Sequence, residues 1–239
     1  MMNNIENKVA YITGGSKGIG YGIARALLDA GMRVAISSRS LQAAEDAARS
    51  LSEDSAKVLP LESDVSSMAS EKASVKSILE RFGQLDVVIA NAGVGHFDPI
   101  EDLTEEDWKQ TIDTNLTGVF NTVKSGLDAL KQSQGYIITM ASLAGTNFFE
   151  NGSAYNASKF GLVGFTQAIM LDLRKLGIKV TTIMPGSVAT HFNDHVPSEA
   201  DAWKIQPEDV GEIVVNLLNM HPRTLPSKIE VRPSMPGKG

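Results

Sequence analysis

Seven short apolar runs alternate along the chain with longer stretches in which apolar residues return every three or four positions. The runs are KVAYIT (8–13), RVAIS (33–37), KVLPLE (57–62), LDVVIA (85–90), GYIITM (135–140), KVTTIM (179–184) and KIEVR (228–232). They are β-branched and almost continuously apolar, as strands covered on both faces are. Helical periodicity occupies 18–30, 41–51, 68–82, 104–132, 154–176 and 207–220, and TEED opens the fourth of these with Thr104 and Asp107 in a capping-box arrangement. Alternation without a linker, repeat or low-complexity segment predicts one α/β domain over 1–239, a doubly wound parallel sheet with helices on both faces.

Ligands of such sheets bind outside the carboxyl ends of the strands, so the residues just after each run become candidates. TGGSKGIG (13–20) sets Gly14, Gly18 and Gly20 in a strand-to-helix turn. Glycines there let the backbone approach a pyrophosphate resting at the helix N-terminus. A bare turn needs fewer, although the spacing departs from the G-x-G-x-x-G fingerprint. SSRS follows the second run with Ser38 and Arg39, where NAD-binding sheets carry an acid for the ribose 2′-hydroxyl. Arg39 with Lys17 and no acid suits a 2′-phosphate, hence NADP, against the alternative of two solvated surface charges. Asp64 can accept from an adenine amino group, and Asn91, Ala92 and Gly93 offer a small-residue floor, though both motifs also serve as turns. Pro185, Gly186 and Thr190 in PGSVAT can fold over a ligand.

AYNASKFG (154–161) carries Tyr155 and Lys159 one helical turn apart, on one face. MASLAG exposes Ser142 after the fifth run, and Asn115 lies among apolar neighbours in DTNLTG, where its amide must find hydrogen bonds. A phenol of ordinary pKa, about 10, is a poor proton carrier near neutrality, and a cation one turn away favours its ionised form.

Composition narrows the setting. The chain is 42% hydrophobic and 21% charged, carries a net charge of -6 and has no cysteine. These values exclude disulfides and thiolate metal sites and argue against nucleic-acid or anionic-membrane binding. No run approaches a membrane span, and the start lacks a basic-then-apolar leader, so a cytoplasmic protein is expected. His191 and His195 have helical metal-pair spacing but no third ligand, so no metal is expected. Trp203, Phe192 and Phe148 are candidates for an apolar substrate wall.

TGGSKGIG, Asp64, NAG, Asn115, Ser142, YNASK and PG, in this order and at these spacings, resemble the short-chain dehydrogenase/reductase family over nearly the whole chain. Within it the chain looks most like bacterial ketoreductases of the 3-oxoacyl-carrier-protein reductase type. The resemblance implies a Rossmann-type fold of about seven strands and a catalytic set of Asn115, Ser142, Tyr155 and Lys159. In that set Tyr155 donates a proton, Lys159 tunes it and holds cofactor ribose, Ser142 orients the carbonyl, and Asn115 anchors a water. It also implies an NADP(H) site that includes Ser16, Ile19, Val65 and Val188. The activity implied is NADPH-dependent reduction of a ketone or 3-oxoacyl substrate. An alcohol, polyol or steroid dehydrogenase working oxidatively, or a non-catalytic cofactor-binding sensor, are the alternatives. A homodimer or homotetramer follows too, with helices 104–132 and 154–176 meeting their copies through Gly126, Ala157, Gly161 and Gly164. Two features depart from the carrier-protein reductases: Ser187–Trp203 is short, and the tail EVRPSMPGKG lacks their Asp-Gly-Gly ending.

Overall fold

The computed structural model describes residues 5–235; the ends of the predicted 1–239 domain, including the last four residues of the tail, lie outside the described residues. Strands β1 (Val9–Thr13), β2 (Arg33–Ser38), β3 (Val58–Glu62), β4 (Val87–Ala90), β5 (Tyr136–Met140), β6 (Lys179–Pro185) and β7 (Lys228–Val231) form one parallel sheet in the order β3-β2-β1-β4-β5-β6-β7. The chain winds outward from β1 to β3 and then crosses back to β4. The crevice beyond the ends of β1 and β4 is therefore the topological switch point where ligands bind in this class of sheet.

Helices α1 (Gly18–Asp29), α2 (Leu41–Leu51), α3 (Met68–Phe82), α4 (Glu105–Ile112), α5 (Gly118–Ser133), α6 (Ser153–Leu173) and α7 (Pro207–Asn219) cover the sheet. The two-residue period of the strands divides its apolar side chains into two cores. Ala10, Ile12, Val34, Ile36 and Ile89 face Ile23 and Leu27 of α1 and Val210 and Val214 of α7. Val9, Tyr11, Ala35, Val88 and Ile137 face Ile78 of α3, Val123 of α5 and Leu162 of α6. Both faces are buried, which is why the strands read as unbroken apolar runs.

The predicted helix 104–132 is not uniform. Between α4 and α5 lies a π-helical turn, Asp113–Thr117, with Asn115 at its centre. Such turns hold one residue more than an α-turn, and here the wider turn buries Asn115 completely. The capping box ahead of it is half formed. Thr104 Oγ1 accepts from the Asp107 amide at 3.0 Å, but Asp107 receives the Thr104 hydroxyl rather than its backbone N–H.

Two glycines expected to serve assembly are engaged within the chain. A Cβ at Gly126 would meet Val88 Cγ2 at 3.1 Å, and one at Gly161 would meet Leu116 Cδ2 at 3.0 Å. Ala157 and Gly164 remain exposed on α6, on the same face as Phe160 and Leu171.

Candidate active site

The glycine loop turns sharply after β1, with Gly14 at φ +63° and Gly18 at φ +57°. These are left-handed values that favour glycine. Lys17, at the N-cap of α1, makes no side-chain cap bond, and the first turn carries no acidic residue. By contrast, α2, α3 and α4 are capped by Ser40, Ser67 and Thr104. The amides at the start of α1 are thus left for an anion. Gly20, expected at the cofactor, is not among the residues that line the cleft. A Cβ there would lie 2.4 Å from the Gly14 carbonyl oxygen and 2.6 Å from Asn91 Nδ2, so Gly20 is small to let the loop fold against α1.

The cleft measures about 1580 Å³ and follows the carboxyl ends of the strands. Gly14, Ser16, Lys17, Gly18 and Ile19 line one end of it with Ser38, Arg39, Asp64 and Val65. Asn91, Ala92 and Gly93 form its middle, and Pro185, Gly186, Val188 and Thr190 its far wall. Asn91 binds the protein itself. Its Nδ2 donates to the carbonyls of Thr13 (2.9 Å) and Gly14 (3.2 Å), while Thr13 Oγ1 accepts from the amides of Asn91 and Ala92. This clasp fixes the glycine loop to β4. Asp64 keeps Oδ1 on the amide and hydroxyl of Ser66. Lys17 and Arg39 are exposed and form no ion pair among the described residues. A glycine cradle, an uncapped helix terminus and two unpaired cations fit a dinucleotide carrying an additional phosphate.

Tyr155, Ser142 and Lys159 line the same cleft. Lys159 Nζ donates to the Met140 carbonyl at 3.0 Å and lies 5.5 Å from the centroid of the Tyr155 ring. Burial lowers the Lys159 ammonium to about 8. Burial also pushes the Tyr155 phenol up to about 12, with the Ser142 hydroxyl pulling the other way. The expected net lowering of the phenol does not occur, because loss of water penalises the phenolate more than the Ser142 hydrogen bond favours it. Tyr155 is a protonated phenol at neutral pH. Ser142 Oγ accepts from the Ala144 amide at 3.1 Å, which orients the hydroxyl after β5.

Asn115 is buried and does not reach the cleft surface. Its Oδ1 accepts from the Val94 amide at 2.8 Å, and its Nδ2 donates to the Val94 carbonyl at 2.9 Å and to Ser158 Oγ at 3.0 Å. Ser158 in turn donates to the Tyr155 carbonyl at 2.8 Å. Asn115 therefore ties the 94–97 segment to the helix that carries Tyr155 and Lys159.

Three contributors went unread in the sequence. Asn156 is buried and donates to the carbonyls of Ala144 (2.7 Å) and Asn147 (2.8 Å), holding the loop after Ser142 against α6. Phe97 packs on Tyr155 with ring centroids 5.3 Å apart, and Phe149 packs on Phe97 at 5.8 Å. Phe148, expected in the apolar wall, lines the cleft but is 84% exposed. Phe192 does meet Tyr155, at 5.7 Å. An asparagine one position after the tyrosine carried no periodic signal, and ring contacts between separate loops carry none either. His195 serves a salt bridge, pairing with Asp201 at 2.7 Å, and Asp201 also binds Lys204 at 2.6 Å. Among the described residues no group of three or more His, Asp or Glu could hold a metal ion, and no helix is long and apolar enough to cross a membrane.

The chain is 34% identical over 233 residues to an uncharacterized oxidoreductase of Staphylococcus aureus (strain MW2), covering 97% of this chain and all of that one. It is also 34% identical over 235 residues to a sepiapterin reductase of Chlorobaculum tepidum, covering 95% and 96% of the two. An alcohol dehydrogenase from the archaeon Thermococcus sibiricus, solved with 5-hydroxy-NADP, superposes with a TM-score of 0.90 at 32% identity, covering 96% of this chain and 97% of that one. The model of the short chain dehydrogenase family matches residues 8–201. With that match, these relatives and a seven-stranded parallel sheet with the Tyr155–Lys159 pair on α6 beside it, the chain belongs to the short-chain dehydrogenase/reductase family and is an oxidoreductase.

Proposed function

We propose that the protein is an NADPH-dependent carbonyl reductase in which Tyr155 is the general acid. The observation that carries this reading is a half-buried phenol, pushed up to about 12 by burial, that shares the cleft with Ser142 and Lys159. A protonated phenol suits reduction, which consumes a proton, better than oxidation, which needs a base at the same place. NADPH, when bound, would supply the hydride. The relatives named as a reductase and as an NADP-complexed dehydrogenase support the same chemistry.

The chain's own residues divide the work. Ser142 donates to the substrate oxygen and orients it, a role its position two residues beyond β5 permits. Tyr155 transfers its proton to that oxygen as the carbonyl carbon gains a hydride, leaving a phenolate. Lys159, one turn along α6 and mostly charged below about pH 8, stabilises that phenolate, and solvent then restores the proton. Asn115 is a positioning residue that keeps the 94–97 segment against α6. Lys17 and Arg39 hold the 2′-phosphate, the second by its planar fork.

The test is Tyr155→Phe with NADPH and a panel of ketones. Reduction should fall by at least about a hundredfold, the usual scale of a lost general acid, with NADPH binding retained. Substantial turnover in the variant would rule out Tyr155 as the acid. We also propose a cytoplasmic homodimer or homotetramer formed through α5 and α6, supported by the exposed Phe120, Phe160 and Leu171 on these helices.

A further inference from the structure

The cleft has two ends of opposite character, and the end beside Tyr155 has a built shape. Tyr155, Phe97 and Phe192 form a triangle of rings, with centroids 5.3, 5.7 and 6.2 Å apart and interplanar angles of 66°, 57° and 62°. The two pairs to Phe97 are edge-to-face, an arrangement aromatic pairs favour, and Tyr155–Phe192 is tilted. Phe149 extends the triangle beyond Phe97. The rings come from three separate loops and α6, and glycines seat them. A Cβ at Gly95 would lie 2.7 Å from the ring tips of both Phe97 and Phe192, and one at Gly152 would lie 2.6 Å from the Phe149 ring. Phe149 and Phe192 line the cleft while 47% and 37% exposed, and Trp203 beside them is 38% exposed. Large apolar side chains left open in a cleft mark a ligand surface.

Charge adds the second, independent observation. Most basic side chains on the Tyr155 side have an acidic partner among the described residues. His195 and Lys204 pair with Asp201, Arg232 with Glu230 at 3.3 Å, and His96 with Asp107 at 3.2 Å. Lys109 lies on the same helix face as Glu106 and Asp113, at i−3 and i+4. Lys17 and Arg39, at the opposite end, have no such partner among the described residues. An anionic substrate would have to displace an existing carboxylate, whereas a flat uncharged group meets ring edges and faces directly.

We infer that the substrate is a neutral ketone bearing an aryl or similarly flat apolar group beside its carbonyl, selected by Phe149 and Phe192, with Phe97 backing the Tyr155 ring. This rests on the carbonyl-reductase reading and adds the substrate class to it. The flat group would lie along Phe149 and Phe192, with its carbonyl between Ser142 and Tyr155. A 3-oxoacyl chain on an acidic carrier protein fits less well, because Lys204 and Arg232 at this end are already paired with Asp201 and Glu230.

The test compares acetophenone, 2-butanone and acetoacetate as substrates with NADPH, alongside calorimetric binding of acetophenone to the protein. Acetophenone should have the highest kcat/KM of the three, with acetoacetate at least about tenfold lower. Phe192→Ala and Phe149→Ala should each lower kcat/KM for acetophenone roughly 3- to 10-fold, mainly through KM, and compress its ratio to 2-butanone, since an aromatic contact is worth about that much. Thermal melts and NADPH affinity report whether the variants remain folded. A preference for acetoacetate, or an unchanged ratio in folded variants of both residues, would overturn the inference. If acetophenone binds and the phenylalanine variants weaken it, but no ketone is reduced, the aromatic site stands and the reductase reading fails.

Discussion

Asn115 and Val94 exchange two hydrogen bonds, amide to Oδ1 at 2.8 Å and Nδ2 to carbonyl at 2.9 Å, as if the side chain were one more residue of a sheet ladder. The pairing takes place in a π-helical turn on one side and in the segment after β4 on the other. It explains why an asparagine sits in the core without reaching the cleft. Asn115→Leu keeps the branched outline with somewhat larger ends and removes both bonds. Leaving these backbone groups unpaired costs about 1–3 kcal/mol each, so Tm should fall by several degrees. Asn115→Asp should fall between, because a carboxylate still accepts from Val94 but cannot donate. A melt of Asn115→Leu unchanged from the parent would show that Val94 finds other partners.

The Lys159 ammonium, lowered to about 8 by burial, sets a pH dependence for reduction. Tyr155 stays protonated until about 12, so it places no limit near neutrality. Below about pH 8 both groups carry their protons, and kcat/KM should be level. Above it the ammonium is lost, and kcat/KM should decline toward tenfold per unit. The stability sign is opposite. A base whose folded value is depressed opposes folding while charged, and this cost is relieved as pH rises from about 8 toward the unfolded value of 10.5. Lys159→Met should therefore inactivate without lowering Tm at neutral pH, since relief of the buried charge offsets the lost bond to Met140. A profile still rising beyond pH 9, or a Tm several degrees lower in the variant, would contradict this.

Cofactor choice rests on Lys17 and Arg39. Removing one charged hydrogen bond costs about 1.5–3 kcal/mol, or roughly 10- to 150-fold in affinity. Ser38→Asp with Arg39→Leu should go further, adding a carboxylate that accepts from a free 2′-hydroxyl and repels a phosphate. The ratio of kcat/KM for NADPH over NADH, measured in parent and double variant, should reverse. A parent that already favours NADH would refute the phosphate site.

Assembly is read by light scattering. Phe120 of α5 packs edge-on to Phe165 of α6 at 6.4 Å, while Phe160 and Leu171 are 42% and 51% exposed. Contiguous apolar surface of this kind is usually covered by a symmetric copy. Dimers or tetramers should persist at micromolar concentration, and Phe120→Glu with Leu171→Glu should dissociate them. A monomeric parent would be decisive against the proposal.

The order of strands and helices was legible in the sequence because it is a local property. Unbroken β-branched runs such as VAYIT and helical periods such as 68–82 reflect burial on two faces or one, and each residue reports its own environment. Lys17 and Arg39 follow β1 and β2, and the topology of a doubly wound sheet brings strand ends together, while Tyr155 and Lys159 share one helix face at i, i+4, so position in the pattern predicts position in space. What the tertiary structure decided depends on contacts between residues far apart in the chain. The π-helical turn at Asp113–Thr117 exists where Asn115 meets Val94, 21 positions away. Gly20 is small because of Gly14 and Asn91, and Gly126 because of Val88. The phenol of Tyr155 is raised by burial that no i,i+4 spacing can report. Phe97, Phe149 and Phe192 become one wall because three loops converge, and ring packing between loops is fixed by close approach in space, for which the linear pattern has no period.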